Sequence, residues 1–155
     1  MLRFPKDFLW GAATSSYQVE GDNKNCDWWE WEKTAGLKET SGHACRHYEL
    51  FKKDFDLAKE LNHNAHRFSI EWSRIEPRER QFSHKEINHY REVTLALRER
   101  GIEPIVTLHH FTNPAWFTAS GGWLSNNACG QFTRYVEKIV SELCENVRLM
   151  CAGLD

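Results

Sequence analysis

The stretch NAHRFSIE, residues 64–71, alternates apolar and polar side chains in its second half. Successive side chains of a β-strand point to opposite faces, so Phe68 and Ile70 fall on one face and Arg67 and Ser69 on the other. The pattern predicts a strand with one face in a core. Because a guanidinium removed from water needs a partner, Arg67 on the opposite face indicates a site with a carboxylate nearby.

Three helical patterns and three further strand-like runs surround this strand. Apolar residues recur at helical spacing in residues 46–62, in the segment that follows Ser83, and in residues 126–145. Ser83 is a good N-cap, Glu86 three residues later completes a capping box, and Gly101 stands at the C′ position that ends the same helix. Apolar runs predict strands at residues 8–14, 104–108 and 147–152, the first of them buried.

The elements alternate in the order β-α-β-α-β-α-β, which predicts parallel strands joined by right-handed crossovers. An open doubly wound sheet and part of a (β/α)8 barrel both have this order. A nucleotide-binding sheet usually has a glycine-rich turn after its first strand, and GAAT at residues 11–14 is not one. The sequence favours an α/β fold that forms the N-terminal part of a (β/α)8 TIM barrel, with residues 1–155 as one partial barrel domain. Since a full barrel takes about 250 residues, exposed edge strands and self-association are expected.

Composition argues against several classes of function. The 155 residues include 20 Lys and Arg against 22 Asp and Glu, a net charge of −2 without basic runs, so no nucleic-acid partner is expected. No apolar stretch of about 18 residues predicts a membrane span, and the N-terminus lacks the apolar region of a secretory signal, so a cytoplasmic protein is expected. The five cysteines form no Cys-x-x-Cys pair, and the spacing of His43, Cys45 and His47 fits no zinc-finger pattern. Neither a metal nor another cofactor is expected.

Polar and aromatic side chains collect where the predicted strands end, which is where parallel α/β proteins bind ligands. The three clusters are TSSYQVEG (residues 14–21), residues 67–77 and TLHHFTNPAW (residues 107–116). The polar groups can form hydrogen bonds with the hydroxyls of a sugar, and the aromatic rings can pack on its apolar C–H faces. The mixture therefore suits a carbohydrate better than a phosphorylated cofactor. For the histidines of the third cluster, a structural role stays open: His109 and His110. Three tryptophans could instead cover the core under a long loop: Trp28, Trp29 and Trp31.

Three long motifs occupy these positions: FPKDFLWGAATSSYQVEG (residues 4–21), HRFSIEWSRIEP (residues 66–77) and TLHHFTNPAWF (residues 107–117). In this order they resemble glycoside hydrolase family 1, the β-glucosidase family. GGWLS (residues 121–125) and ENVR (residues 145–148) are also similar to that family. The resemblance covers nearly the whole chain.

This resemblance implies a (β/α)8 barrel that hydrolyses terminal β-D-glycosides with retention of configuration. It implies that Gln18 and His110 bind hydroxyls of the sugar in the −1 subsite. Phe111 stands where the family frequently has Trp, so a hydrogen bond from an indole N–H is lost there. Arg67 matches the arginine that lies beside the catalytic nucleophile and helps to keep that carboxylate ionised.

The two catalytic carboxyl groups of the family have no match in the chain. Retaining hydrolysis needs an acid/base and a nucleophile about 5–5.5 Å apart, which the family supplies from an Asn-Glu-Pro motif after the fourth strand and a Glu near the end of the seventh. By count, Asp155 falls at the acid/base position, but it is one methylene shorter and no Pro follows it, so it is not expected to act. Three glutamates at the strand ends are expected instead to anchor loop backbone or to pair with Arg67 or Arg74: Glu20, Glu71 and Glu76.

Two functions therefore remain open. The first is a β-glucosidase-like glycosidase of carbohydrate metabolism acting on a β-glycoside or oligosaccharide, with the lone chain inactive because it stops before the acid/base motif. The abrupt loss of the family pattern after Arg148 suggests a truncated or frameshifted reading frame. The second is a non-catalytic carbohydrate-binding or scaffold fragment that keeps Gln18 and His110.

Overall fold

The computed structural model describes residues 3–153, in which four parallel strands form one sheet. The strands are β1 (Gly11–Ala13), β2 (Ala65–Ser69), β3 (Glu103–Thr107) and β4 (Leu149–Cys151), and they lie side by side in chain order. In a doubly wound sheet the order of the strands reverses at a switch point. The unbroken strand order 1-2-3-4 therefore excludes that alternative. The architecture is the one predicted, an α/β arrangement with the strand order of a barrel.

The three long predicted helices are present as α3 (His47–Glu60), α5 (His84–Glu99) and α7 (Ala128–Leu143). Ser83 caps α5, since its hydroxyl accepts from the backbone N–H of Glu86 at 3.4 Å, and Gly101 has the positive φ of +68° expected at C′. The prediction that Glu86 completes a capping box is wrong. The N–H of Ser83 donates instead to the carbonyl of Ile75 at 2.8 Å, and the Glu86 carboxylate accepts from the Tyr48 hydroxyl at 2.8 Å.

Short helices interrupt the connections that follow the strands. Loop 1 (residues 14–46) contains α1 (Ser16–Val19) and α2 (Asp27–Thr34), and loop 2 (residues 70–83) contains α4 (Trp72–Ile75). Loop 3 (residues 108–127) contains α6 (Ala115–Ala119) and a 3-10 turn (Gly122–Leu124). The sequence did not predict these elements, because segments this short carry too few apolar repeats to show a helical period.

A single apolar core lies where the sheet meets α3, α5 and α7. Phe68 of β2 and Val106 of β3 face it, as the alternation in residues 64–71 predicted for Phe68. Each long helix contributes its apolar stripe, and the most deeply buried members are Phe55, Ile87, Tyr90, Leu97, Tyr135, Ile139 and Leu143. Burial of these stripes is the main source of the stability of the sheet.

The predicted burial of residues 8–14 is wrong. Only Gly11–Ala13 form a strand there, and all three residues are exposed, as are Phe8, Leu9 and Trp10. The reason is that, among residues 3–153, β1 lies at one end of the sheet and pairs with β2 alone. Phe4, Phe8 and Trp10 pack on one another at the surface, with ring centroids 4.6 to 4.7 Å apart.

The five cysteines are free thiols, and only Cys26 is buried. The rings of His43 and His47, which the sequence places beside Cys45, are each paired with a carboxylate, Asp22 and Asp54 respectively. Within residues 3–153 no group of three metal-ligating side chains comes together. No helix in that part of the chain is both long and apolar enough to cross a bilayer.

Candidate active site

The predicted site residues lie at the carboxyl end of the sheet. Gln18 is exposed on α1, where its Oε1 accepts from the Ser15 hydroxyl at 2.6 Å. Arg67 is half-buried on β2 and donates from Nη1 to the carbonyl of Thr14 at 2.9 Å, across the seam between β2 and loop 1. His110 is half-buried in loop 3, three residues after β3.

Phe111 joins loop 1 to loop 3 through aromatic contacts. Its ring centroid lies 6.0 Å from that of Tyr17 in α1 and 5.1 Å from that of Trp28 in α2, both edge-on. Trp28 in turn contacts Trp31 at 5.0 Å. Trp28 and Trp31 are 42% and 48% exposed. The interpretation that these two tryptophans cover the core is therefore wrong. They form an aromatic surface that runs outward from Phe111.

Glu71 is the buried centre of the three loops. Its Oε2 accepts from the hydroxyls of Ser16 and Thr112, each at 2.9 Å. Its Oε1 accepts from the Ser73 hydroxyl at 2.8 Å and from the Ser73 N–H at 3.3 Å. The Glu71 carboxylate thus contacts α1, α4 and loop 3, and both of its oxygens accept hydrogen bonds.

Glu20 and Arg74 form a second buried link. Arg74 donates from Nε to Glu20 Oε2 at 2.8 Å and from Nη2 to the carbonyl of Gly21 at 2.6 Å, and Tyr90 of α5 donates to Glu20 Oε1 at 2.8 Å. Burial raises the pKa of the Glu20 carboxyl to about 7, and the Arg74 guanidinium opposes that rise. The predicted pairing of a loop glutamate with Arg74 is confirmed.

Glu76 anchors the end of loop 2 with a partner that the sequence did not reveal. Its Oε1 accepts from the Arg80 N–H and from Arg134 of α7, both at 2.6 Å, and its Oε2 accepts from the Trp72 indole at 2.9 Å. The predicted anchoring of loop backbone is confirmed. Arg134 lies 58 residues away in sequence, and no local pattern links the two.

Asp27 was also missed by sequence reasoning, and it attaches α2 to loop 3. Its two carboxylate oxygens accept from the backbone N–H and the side-chain amide of Asn113, both at 2.9 Å. The backbone N–H of Asp27 donates back to the Asn113 carbonyl at 2.9 Å. This link holds the helix that carries Trp28 against the loop that carries Phe111.

Arg67 pairs with no carboxylate within residues 3–153, where its only side-chain hydrogen bond is the one to Thr14. The loop glutamates already described have other partners. The carboxylate partner expected for Arg67 therefore stays a prediction, as do the sugar contacts expected for Gln18, His110 and Phe111.

Residues 1–152 match the sequence model of glycosyl hydrolase family 1. The chain belongs to this family. Among its relatives, beta-glucosidase A of Acetivibrio thermocellus is 37% identical over 92% of this chain, and the cytosolic beta-glucosidase of Homo sapiens is 34% identical over 95%. The chain spans about a third of the length of these relatives, 34% in both cases.

Solved structures of the family share the fold. A beta-glycosidase from Pyrococcus horikoshii is 45% identical, with a TM-score of 0.93 over 99% of this chain and 36% of its own. The family 1 beta-glucosidase from Thermotoga maritima is 32% identical, with a TM-score of 0.92 over 96% of this chain and 36% of its own. The four-stranded sheet is the N-terminal part of a (β/α)8 barrel, as the sequence predicted.

Proposed function

We propose that this family 1 chain supplies the glycone-binding side of a retaining β-glycosidase site that acts on β-glycosides or oligosaccharides with terminal β-D-glycosyl residues. The observation that carries the proposal is the convergence of loop 1 and loop 3 at the carboxyl end of the sheet. Tyr17 and Phe111 are in ring contact, so their neighbours Gln18 and His110 share this end of the sheet. Ligands of barrel enzymes bind at that end.

The chemistry of these side chains suits a sugar. The Gln18 amide carries both donors and an acceptor, and the imidazole of His110 offers a nitrogen of each kind when it is neutral, which matches the dual character of hydroxyl groups. Phe111 adds an apolar ring face for the C–H surface of a pyranose, and Trp28 extends that surface outward.

Arg67 gives the site a positive charge beside the strand ends. Its only side-chain bond within the described residues uses one nitrogen, and the other guanidinium N–H groups are left to bind a carboxylate. A cation at this place favours the ionised form of a neighbouring carboxyl group, which is the form that a nucleophile needs.

The proposal assigns both catalytic carboxyl groups to positions outside residues 3–153. Glu71 and Glu76 have donors on both oxygens, and Glu20 is paired with Arg74 and Tyr90, so none of the three faces a substrate unpaired. Asp155 lies outside the described residues. The 155-residue chain alone is therefore expected to bind sugar without hydrolysing it, which is also the behaviour of the non-catalytic carbohydrate-binding alternative.

Turnover and binding measured on one sample test this proposal. We expect no release of p-nitrophenol from p-nitrophenyl β-D-glucoside, together with a saturation-transfer NMR signal from methyl β-D-glucoside that weakens in Gln18→Ala. Turnover that disappears in Asp155→Asn would show that a carboxyl group of this chain is catalytic. Absence of binding by a folded chain would contradict the glycone assignment.

We propose also that the 155-residue chain associates with a second copy through its edge strands. Within the described residues, β1 and β4 each pair with one neighbour, and exposed strand edges favour pairing with another chain. Two four-stranded sheets contain the eight strands of a closed barrel. Light scattering on a size-exclusion column should give the mass of a dimer, and a monomer at all concentrations would contradict this.

A further inference from the structure

Glu71 joins the two segments that carry the side chains proposed to bind the sugar. Its Oε2 accepts from Ser16, which begins α1 two residues before Gln18, and from Thr112, which follows His110 by two residues. Both distances are 2.9 Å, so a single oxygen atom bridges loop 1 and loop 3. Ser16 and Thr112 are 96 positions apart along the chain.

The surroundings of this oxygen make the bridge specific. Glu71 is 1% exposed, and Ser16, Ser73 and Thr112 are each at most 5% exposed, so water does not compete for the hydrogen bonds. Three hydroxyls and one backbone N–H converge on the carboxylate, and an ionised carboxylate is the one side chain that accepts at every position. Bonds to a charged acceptor are also stronger than bonds between neutral groups.

Neighbouring bonds fix the directions of the donors. The Ser69 hydroxyl donates to Ser16 Oγ at 3.1 Å and accepts the Ser16 N–H at 2.7 Å, so the Ser16 proton is directed toward Glu71. The backbone N–H of Glu71 donates to Tyr90 of α5 at 3.0 Å, which attaches the carboxylate-bearing residue to the helix layer. The Glu71 bridge is therefore attached to helix α5, which is part of the core.

From this geometry we infer that Glu71 is a positioning residue for sugar binding. By holding Ser16 and Thr112 on one oxygen, it sets the spacing between Gln18 and His110 without itself contacting the sugar. The inference rests on the proposed function for the identity of the ligand. The coupling of the two loops does not depend on that identity, so it can be measured without sugar.

Glu71→Gln is the matched change, because it keeps size and removes charge. In Glu71→Gln, the backbone N–H of Ser73 keeps the amide oxygen of the glutamine toward Ser73. The NH2 group of the glutamine then faces the hydroxyls of Ser16 and Thr112, which donate to Glu71 in the wild type and lose their acceptor. Glu76→Gln is the control, because Glu76 is equally buried and its carboxylate bonds no residue of loop 1 or loop 3. Thr112→Val removes a single donor and keeps the shape of the side chain.

Hydrogen exchange on the 155-residue chain gives the first readout. In Glu71→Gln and Thr112→Val, we expect amides of residues 14–20 and 108–114 to exchange about tenfold faster, the change that loss of one ordinary hydrogen bond produces. Glu76→Gln should speed exchange near Arg80 and Arg134 instead. Unchanged exchange of both loops in folded Thr112→Val, or the same loops loosened by Glu76→Gln, would overturn the inference. If Glu71→Gln does not fold, Thr112→Val decides alone.

Affinity for methyl β-D-glucoside gives the second readout. A merely structural role would make affinity follow stability across all variants. We expect weaker binding in Thr112→Val and unchanged binding in Glu76→Gln, even where Glu76→Gln costs more stability. Equal binding by wild type and Thr112→Val would overturn the positioning role. If the wild-type chain does not bind the glucoside, the proposed function fails, and loosened loops in the exchange data would still support the bridge.

Discussion

The hydroxyl of Tyr90 donates a 2.8 Å hydrogen bond to Oε1 of Glu20, although the two residues are 70 positions apart in sequence. The same oxygen of Tyr90 accepts the backbone N–H of Glu71 at 3.0 Å. Helix α5 therefore reaches through the core to hold loop 1 and loop 2 at once. This contact explains how two loops that contain only short helices keep fixed positions at the carboxyl end of the sheet.

Tyr90→Phe should destabilise the chain by about 2–3 kcal/mol, because it leaves a buried carboxylate oxygen and a buried N–H without partners. Urea unfolding followed by circular dichroism measures the change. Tyr48→Phe is the control: the Tyr48 hydroxyl donates to Glu86 from a half-buried position, so its loss should cost less. Equal losses in the two variants would contradict the role given to Tyr90.

Stability should fall as the pH is lowered from about 6.5 to about 4. Burial lowers the pKa of His66 and of His89 to about 4, so the unfolded chain binds protons that the folded chain does not. The buried His66 contributes up to about 3 kcal/mol of this loss, and the half-buried His89 contributes less because solvent screens it. Glu20 acts in the opposite direction: its pKa is raised to about 7, so its contribution is present at low pH and is lost as the pH rises from about 4.5 to about 7.

Unfolding free energies measured between pH 4 and pH 7.5 test the balance of these groups. The two histidines outweigh the single glutamate, so the net slope should be positive between pH 5 and 6.5. His66→Gln, which does not titrate, should have a smaller slope. A slope that is unchanged in His66→Gln would show that His66 is not the group responsible.

Gly11→Ala should destabilise the chain by about 1–3 kcal/mol, because a Cβ at Gly11 would collide with the carbonyl oxygen of Ala65 in the neighbouring strand. Gly130→Ala is the matched control. It lies in α7 with nothing within 4 Å of an added Cβ, so it should stabilise the helix by about 0.5–1 kcal/mol. Thermal unfolding of both variants gives the comparison, and two shifts of the same sign would contradict the account of β1.

Phe111→Trp should strengthen sugar binding, because it supplies an indole N–H that can donate to a hydroxyl. Phe111 is half-buried and contacts Tyr17 and Trp28 edge-on, so it is partly accessible from solvent. NMR titration with methyl β-D-glucoside should show about a tenfold lower dissociation constant. An unchanged constant would mean that residue 111 does not face the glycone.

The fold was largely predictable from sequence, since periodicity and caps located the long helices α3, α5 and α7 and all four strands. Burial of β1 was predicted incorrectly, because an apolar run does not show whether its strand has one neighbour or two. The roles of Glu20 and Glu76 were predictable from their place at strand ends. Their partners Tyr90 and Arg134 were not, because such contacts form only when distant segments are brought together by the fold.

The central claim is that this chain supplies the glycone side of a family 1 site, and a chimera tests it most directly. Residues 1–148 would replace the matching part of the Thermotoga maritima beta-glucosidase, which provides the rest of the barrel. We predict a folded chimera that hydrolyses p-nitrophenyl β-D-glucoside. In His110→Ala, kcat/KM should fall about ten- to hundredfold through the loss of one or two hydrogen bonds. His63→Ala, at the opposite end of the sheet, should leave it unchanged. A folded chimera in which both variants have equal activity would contradict the claim.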